Sequence, residues 1–396
     1  MIDPRLQATL DTAAAADRAP SPAAVEAAEP APRHVIRDRA TAVAGLRAQL
    51  RAEVPGRDKA PAGPHRRIGG WLSADATTTS HVTGTSPWPT ASHWHWLAAK
   101  GHVRQMPADL GPSFPHLFLS EAQIVHDLTA WSALDARGEI TTEAKAMFGA
   151  VSGDAELTLY GTVLLYAHRR EPVTLPAELE EFGLGAAVRN VPRVTFAIGL
   201  TGGEVVTALV NNASVVFSRR HRRGEIVADA AEALRGLLDP GGDWEPYPMT
   251  GPVTLPGEAV DALATGGDTV GVIDSEPAED ATDAERVADA EHRTRVGKGV
   301  RTALRSARIP SGAVEDIAGI ATATTDAVAQ VTLRDRSVDV QRGEPAALAL
   351  AFLRGRGVVA SYPSGSGPTR TITYVSGSTS GIRTGIAALR RVVTGV

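Results

Sequence analysis

Residues 194–210 read VTFAIGLTGGEVVTALV, and this stretch decides the fold class. Two short apolar runs, residues 194–200 and 205–210, flank the turn signal Thr201-Gly202-Gly203-Glu204. Runs rich in Val, Ile, Phe and Thr on both sides of a Gly-containing turn are typical of a β-hairpin. We therefore predict two antiparallel strands joined by a tight turn here.

Further periodic segments surround this hairpin. Residues 157–165 alternate at period 2, which predicts a strand. Helices are predicted over residues 121–135, preceded by Ser120 at capping-box spacing from Gln123, over 141–151, and over 224–238. The first half of the patterned sequence therefore reads helix, helix, several strands, helix.

The same order recurs toward the end of the chain. Helices are predicted over residues 300–308 and 311–321, strands over 328–338, 347–354, 358–362 and 370–375, and a closing helix over 380–393. Single residues also match: Leu157-Thr-Leu159 with Val331-Thr-Leu333, Phe196 with Phe352, and Ala233-Leu234-Arg235 with Ala388-Leu389-Arg390. The predicted fold class is α+β, with two duplicated helix–β-meander–helix units in quasi-two-fold symmetry around a central antiparallel sheet.

Four segments follow from this pattern. Residues 1–113 form a low-complexity extension, either disordered or mis-annotated with Met106 as an internal start, and contain one helical pattern at 41–53. Residues 114–245 form the first unit, with a possible short helix at 176–182. Residues 246–299 form a connector with a solvated acidic linker, and residues 300–396 form the second unit.

Composition limits the function classes. The chain has 396 residues, 43% of them hydrophobic, which is enough for a core. It has no Cys, which excludes disulfides and thiolate nucleophiles. A net charge of −5 argues against a nucleic-acid partner. Residues 1–30 lack the apolar core of a secretory signal and no stretch is long enough to insert in a membrane, so we expect a cytoplasmic protein.

The motifs of catalysis and metal binding are missing or incomplete. His93-Trp94-His95-Trp96 could place two imidazoles on one strand face, but no third ligand follows at a recognisable spacing. Gly297-Lys298-Gly299 lacks the spaced Gly and the hydroxyl residue of a phosphate-binding loop. We predict no catalytic, cofactor-binding or metal-binding residue, no cofactor, and a protein that is not an enzyme.

Residues 114–396 resemble the EspG family of type VII (ESX) secretion-associated proteins. The resemblance rests on Phe118-Leu119-Ser120-Glu121, residues 134–140 leading into Leu157-Thr-Leu159, the strand at 205–210, and the closing segments 362–367 and 372–374. It implies a cytoplasmic chaperone that binds the apolar helical tip of PE–PPE heterodimers, or of a similar helical secretion substrate, through an open sheet and C-terminal helices. We expect a monomer or a weak homodimer.

No motif marks the contact surface, so its residues are chosen by position. Partner contact is expected at Leu200 and Glu204 beside the first hairpin turn, and at Leu353, Arg354 and Arg356 beside the second. The two leucines could equally belong to the core, and the two arginines could equally form a solvated edge.

Two other functions stay open at this point. The first is an enzyme or small-molecule binder that uses a cleft between the two sheet halves, with His168, His221 or Tyr362 as polar groups. The second is a scaffold that oligomerises through sheet edges.

Overall fold

The computed structural model describes residues 90–111, 119–168, 191–211, 214–265, 273, 281–338, 346–365 and 370–395. The helices predicted over residues 41–53 and 176–182 lie outside these residues. Residues 274–280 of the predicted acidic linker also lie outside them.

The strands of the described chain form one antiparallel sheet. They are β1 (Leu157–Leu164), β2 (Arg193–Leu200), β3 (Glu204–Asn211), β4 (Ser214–His221), β5 (Val253–Pro256), β6 (Thr325–Asp335), β7 (Leu348–Leu353), β8 (Gly357–Ser364) and β9 (Thr371–Ser376). Their order is β4-β3-β2-β1-β6-β7-β8-β9-β5, and every neighbouring pair is antiparallel. The predicted α+β class with a central antiparallel sheet is confirmed.

The centre of this sheet is the pair β1–β6. Leu157 lies opposite Asp335 at one end and Leu164 opposite Val328 at the other. Each strand starts a meander that runs outward, β1 to β4 on one side and β6 to β9 on the other. This mirrored order agrees with two related units, and internal duplication stays a prediction.

The described helices are α1 (Ala91–Ala99), α2 (Glu121–Ala130), α3 (Thr142–Gly149), α4 (Ile226–Leu238), α5 (Gly257–Thr265), α6 (Asp283–Ser306), α7 (Ser311–Ala321) and α8 (Thr379–Thr394). Helices α4 and α8 follow the two meanders, and both pack on the same face of the sheet. Because strand side chains alternate, this two-helix face takes Leu159, Phe196 and Phe352, each at most 1% exposed, while Tyr160 and Ala197 point the other way.

On the opposite face the cover comes in two parts. Helices α1 to α3 cover strands β1 to β4 with an aromatic centre, in which the Trp94 and Phe148 ring centroids are 4.9 Å apart. Helices α5 to α7 form a cluster with β5 at the other edge of the sheet. Between these two groups of helices lie parts of β1, β6, β7 and β8 that neither group covers.

Near the end of the segment 1–113, the structure differs from the prediction of a low-complexity extension, because it contains an ordered helix. Helix α1 belongs to the fold, since Trp94 and Leu97 are fully buried and the Trp94 Nε1–H donates to the Arg104 carbonyl oxygen at 2.9 Å. The helix carries no clear apolar period because its buried side also contains Ser92 and His93. A pattern search therefore does not separate it from loop sequence.

The long helix α6 also differs from the prediction. Residues 283–291, assigned to the linker, are continuous with the helix predicted from residue 300. Thr282 and Glu285 form a capping box at its start. Its buried apolar residues Val296, Val300 and Leu304 all lie in the second half. The first half has no apolar face, which is why these residues were assigned to the linker.

The strand register tests the residue matches between the halves. Leu157 lies opposite Leu200, the last residue of β2, and Thr325 lies opposite Leu353, the last residue of β7. Leu157 therefore lies at the hairpin end of its strand, whereas Val331 lies six residues from Thr325, which is at the hairpin end of β6. The sheet does not reproduce the match of Leu157 with Val331.

Arg235 and Arg390, which match in sequence, make similar contacts in the structure. Arg235 of α4 binds Asp239 at 2.8 Å and the Gly377 carbonyl oxygen, just before α8, at 3.3 Å. Arg390 of α8 binds Asp335 at 2.7 Å. Each arginine lies near the C-terminal end of its helix and binds a buried carboxylate.

Helix α1 gives a first prediction. Trp94→Ala should lower the free energy of unfolding by about 3–5 kcal/mol, because it removes a fully buried aromatic side chain. Trp96→Ala on the same helix, where the side chain is half-buried, should cost less than about 1 kcal/mol. Urea denaturation of both variants measures this. Equal, small losses would show that α1 is not part of the core.

Candidate partner-binding surface

The five residues predicted to contact a partner lie in two groups at opposite ends of the sheet. Leu200 is level with Leu157 and hence with Asp335, the last residue of β6. Leu353 is level with Thr325, the first residue of β6. Because a strand rises about 3.3 Å per residue, the two groups are about 33 Å apart along β6. They cannot form one contact patch.

Both predicted leucines lie in the core. Leu200 is fully buried on the two-helix face, and Leu353 is 1% exposed against Tyr247 and Val359. Neither side chain is accessible at the surface. The prediction that Leu200 and Leu353 contact a partner directly is therefore corrected. A pattern of alternating residues cannot distinguish the covered from the open face of a strand.

Arg354 holds the fold together at the second hairpin. Its Nε and Nη2 lie 2.8 and 2.7 Å from Oδ1 of Asp326, whose side chain is 6% exposed. A buried carboxylate needs such a partner, because an unpaired charge in the core is costly. Arg354 is therefore a structural residue of the sheet end rather than part of an open rim.

Two charged residues remain accessible. Arg356 is exposed, and its Nη1 donates to the Gly319 carbonyl oxygen of α7 at 3.1 Å. Glu204, at the distant hairpin, is 30% exposed and lies 3.8 Å from Arg219. Of the five predicted residues, Arg356 is the one whose charge faces solvent beside the second hairpin.

Sequence reasoning missed the middle of the sheet, which none of the described helices covers on one face. On the face opposite α4 and α8, β1, β6, β7 and β8 carry two transverse rows of side chains between the two helical covers. We call these residues the central strip: Thr162, Leu164, Val328, Gln330, Ala349, Ala351 and Ser361. Gln330 is exposed and the others are half-buried.

The central strip is shallow and mostly apolar. Leu164, Val328 and Ala351 lie side by side across three strands, and Gln330 and Ala349 occupy the next row. Small side chains in the middle of a sheet allow another backbone to approach closely. The strip ends at the β7–β8 hairpin, which carries Arg356 three residues beyond Leu353.

A charged cavity opens at the other end of the sheet. It has a volume of about 560 Å³ and is open to solvent. Its lining residues are Glu156, Arg222, Glu225, Ile226, Asp335, Arg336, Ser337 and Arg390.

The three arginines of this cavity each make at least one hydrogen bond within the chain. Arg222 donates to the Thr201 carbonyl oxygen at 2.8 Å, Arg336 to the Asp154 carbonyl oxygen at 2.9 Å, and Arg390 to Asp335 at 2.7 Å. The three arginines face three acidic residues, so the lining carries no net charge. These hydrogen bonds fasten the neighbouring loops to the sheet.

Asp335 is the best-defined carboxylate of the cavity. Burial acts to raise its pKa, but hydrogen bonds from Ser337, with Oγ at 2.6 Å, and from Arg390 outweigh burial and hold the pKa below its usual value. The ionised form is therefore the one that the fold stabilises.

The three polar groups of the enzyme alternative do not come together. His221 ends β4 and Tyr362 lies on β8, six strand spacings away, which is about 29 Å. His168 follows the end of β1 that lies opposite the His221 end. A single site cannot contain them.

The paired imidazoles of residues 93–96 lie on helix α1 and not on a strand. His93 is buried, with Nδ1 3.1 Å from the Thr90 backbone nitrogen and Nε2 3.4 Å from Asp127. Within the described residues no group of three or more His, Asp or Glu side chains is placed to hold a metal ion. None of the helices in this part of the chain combines the length and apolar character needed to cross a membrane.

The two arginines of the β7–β8 hairpin give a second prediction. Arg354→Ala should lower the free energy of unfolding by about 1–3 kcal/mol, because Asp326 loses its charged donor inside the protein. Arg356→Ala, next in the same turn, should change it by less than about 0.5 kcal/mol. Thermal or urea unfolding measures both. Similar losses would refute the different roles assigned here.

Asp335 gives a third prediction, on pH. A carboxyl whose pKa is lowered by folding contributes stability above its unfolded pKa, about 3.9, and this contribution is lost as the pH falls through the folded value. Asp335→Asn should therefore cost about 1–3 kcal/mol at pH 7, and the difference from the unmodified chain should shrink below about pH 4. Urea unfolding across this range checks the sign; a constant difference would contradict it.

Comparison with known proteins gives a structural likeness and no match in sequence. No family model matches the chain, and no curated protein matches it. Among solved structures, the fold is similar to the Mycobacterium tuberculosis type VII secretion system chaperone EspG5, determined in complex with a PE25–PPE41 dimer. The alignment covers 77% of this chain and 95% of that chain, with a TM-score of 0.49 and 11% sequence identity.

Proposed function

We propose that this protein is a cytoplasmic chaperone that binds the apolar helical tip of PE–PPE-type substrates and keeps them soluble for type VII secretion. The sequence resemblance to the EspG family supplies the partner class. The observation that carries the proposal is the central strip, a mostly apolar part of the sheet that the described helices leave uncovered, on the face opposite α4 and α8. The proposal includes no catalytic step and no cofactor.

The chemistry of the strip suits an apolar helix tip. A protruding helical end that exposes Leu, Ile or Phe side chains is an aggregation liability until another surface covers it. Ala349 and Ala351 leave room for such side chains, while Leu164 and Val328 supply apolar contact. Burial of apolar area at about 25 cal/mol per Å² is the driving force.

Polar groups at the margins of the strip would set the orientation of the partner. Gln330 is exposed within the strip, and Arg356 is exposed beside the hairpin at its end. An acidic residue near the substrate tip could pair with Arg356, whose guanidinium is held in place by the Gly319 carbonyl oxygen. Glu204 lies about 33 Å away along β6 and could contact only a second part of a long substrate.

Co-expression with a PE–PPE pair encoded near this gene gives a fourth prediction. We expect a complex that co-purifies, and Ala349→Glu should weaken it at least about tenfold, because the carboxylate would be buried against an apolar tip. Titration calorimetry or surface plasmon resonance measures the affinity. Ala228→Glu is the matched control, since Ala228 is half-buried on α4, on the other side of the sheet.

Two outcomes would contradict the proposal in different ways. If no PE–PPE pair binds the folded chain, the substrate class is wrong. If Ala349→Glu binds as tightly as Ala228→Glu, the function could stand but the central strip is not the contact surface. Circular dichroism of both variants confirms that each is folded.

A further inference from the structure

Helix α6 presents one continuous exposed face along its whole length. Its buried residues Val296, Val300 and Leu304 define the packed side. With 3.6 residues per turn, the opposite side carries residues spaced three and four apart, and all of them are exposed. We call this set the α6 stripe: Ala284, Val287, Ala288, Glu291, Thr294, Arg295, Lys298, Thr302 and Arg305.

The stripe has the side chains of a helix contact. Val287 is 56% exposed and is the large hydrophobic side chain that stands out on the surface of the described residues. Ala284 and Ala288 flank it, and Thr294 and Thr302 continue the stripe with small groups. Small residues along one helix face let a second helix approach closely.

Charge changes sign along the stripe. Asp283 at its margin and Glu291 are acidic, and Arg295, Lys298 and Arg305 follow toward the end of the helix.

The neighbouring charges are paired within the chain. Asp289 lies 2.7 Å from Arg293, and Glu315 lies 2.9 Å from Arg301. Among the ion pairs of the described residues, none involves Glu291 or Lys298. The stripe therefore keeps an acid and a base, two turns apart, available for another molecule.

We propose that the α6 stripe pairs in antiparallel fashion with the α6 stripe of a second copy of this chain, forming a weak homodimer. A two-fold axis between Thr294 and Arg295 sets Glu291 against Lys298 of the partner subunit. The same register sets Val287 against Thr302 of the partner subunit. The helix dipoles then oppose one another, which is also favourable.

Charge fixes the direction of this pairing. A parallel, in-register pair would set like charges side by side at both Glu291 and Lys298, and such contacts are repulsive. The antiparallel pair forms the contact between Glu291 and Lys298 twice, once on each side of the two-fold axis. A second copy therefore complements Glu291 and Lys298 of the stripe, while the two Arg295 side chains lie near each other at the axis and extend to solvent on either side.

The size of the contact makes the dimer weak. A helix of 24 residues is about 36 Å long, and a contact about 10 Å wide is smaller than the roughly 800 Å² that each partner contributes to a standard interface. We expect a monomer at low concentration and a dimer at high concentration. Salt should weaken the dimer, because the screening length falls to about 3 Å at 1 M.

Cysteine cross-linking tests the geometry of the full chain. The sequence contains no Cys, so a single introduced thiol gives no background. Thr294→Cys lies beside its own copy at the proposed axis and should form a disulfide dimer under mild oxidation. Ala284→Cys, equally exposed, would be about 31 Å from its own copy and should stay monomeric. Equal cross-linking of the two variants would overturn the antiparallel register.

Charge exchange tests the pairing itself. Sedimentation equilibrium up to about 1 mM protein should show dimer formation, and Glu291→Lys or Lys298→Glu alone should weaken it about tenfold. The chain carrying both changes should regain the affinity, because each lysine again faces a glutamate. A chain that stays monomeric throughout, or a double variant no tighter than the single ones, would overturn the proposal. None of these results depends on the proposed chaperone function.

Discussion

The antiparallel pairing of β1 with β6 is the interaction on which the rest of the structure depends. It joins the two meanders into one sheet and places α4 and α8 on the same face. It also sends the two hairpins to opposite ends of the sheet, because β2 and β7 run in opposite directions. Two hairpins that look equivalent in sequence therefore cannot contribute to one contact patch, which is why Glu204 and Arg356 lie far apart.

Much of this architecture could be predicted from local pattern. The strands around residues 157–165 and 194–210 alternate clearly and have strong turn signals, and the structure has strands there. Helix α1 was missed because its buried side mixes Trp94 and Leu97 with Ser92 and His93. The first half of α6 was assigned to the linker because it has no apolar face.

The surface was harder to predict than the fold. Leu200 and Leu353 were considered because they flank the turns, but burial depends on which helices cover each face, and a single strand does not encode that. The central strip could not be found in advance, since it exists only where side chains from four separate strands meet between two helical covers. Arg354 and Arg356 look alike in sequence, and only the position of Asp326 separates their roles.

A binding function follows more naturally from this arrangement than a catalytic one. The polar groups considered for an enzyme are separated by the width of the sheet. In the charged cavity Arg390 binds Asp335, and Arg222 and Arg336 donate to carbonyl oxygens of the chain. In the central strip Gln330 is exposed and the other residues are half-buried, and the α6 stripe is exposed along its length; we propose both as protein contacts. They lie on different elements, so a substrate and a second copy of the chain need not compete for the same residues.

Hydroxyl-radical footprinting of the chain with and without a bound PE–PPE pair tests the central claim most directly. The account predicts that oxidation of Leu164 and Val328 in the central strip falls on binding, while that of Val287 on α6 is unchanged. Unchanged oxidation of Leu164 and Val328 in a complex that has formed would contradict it.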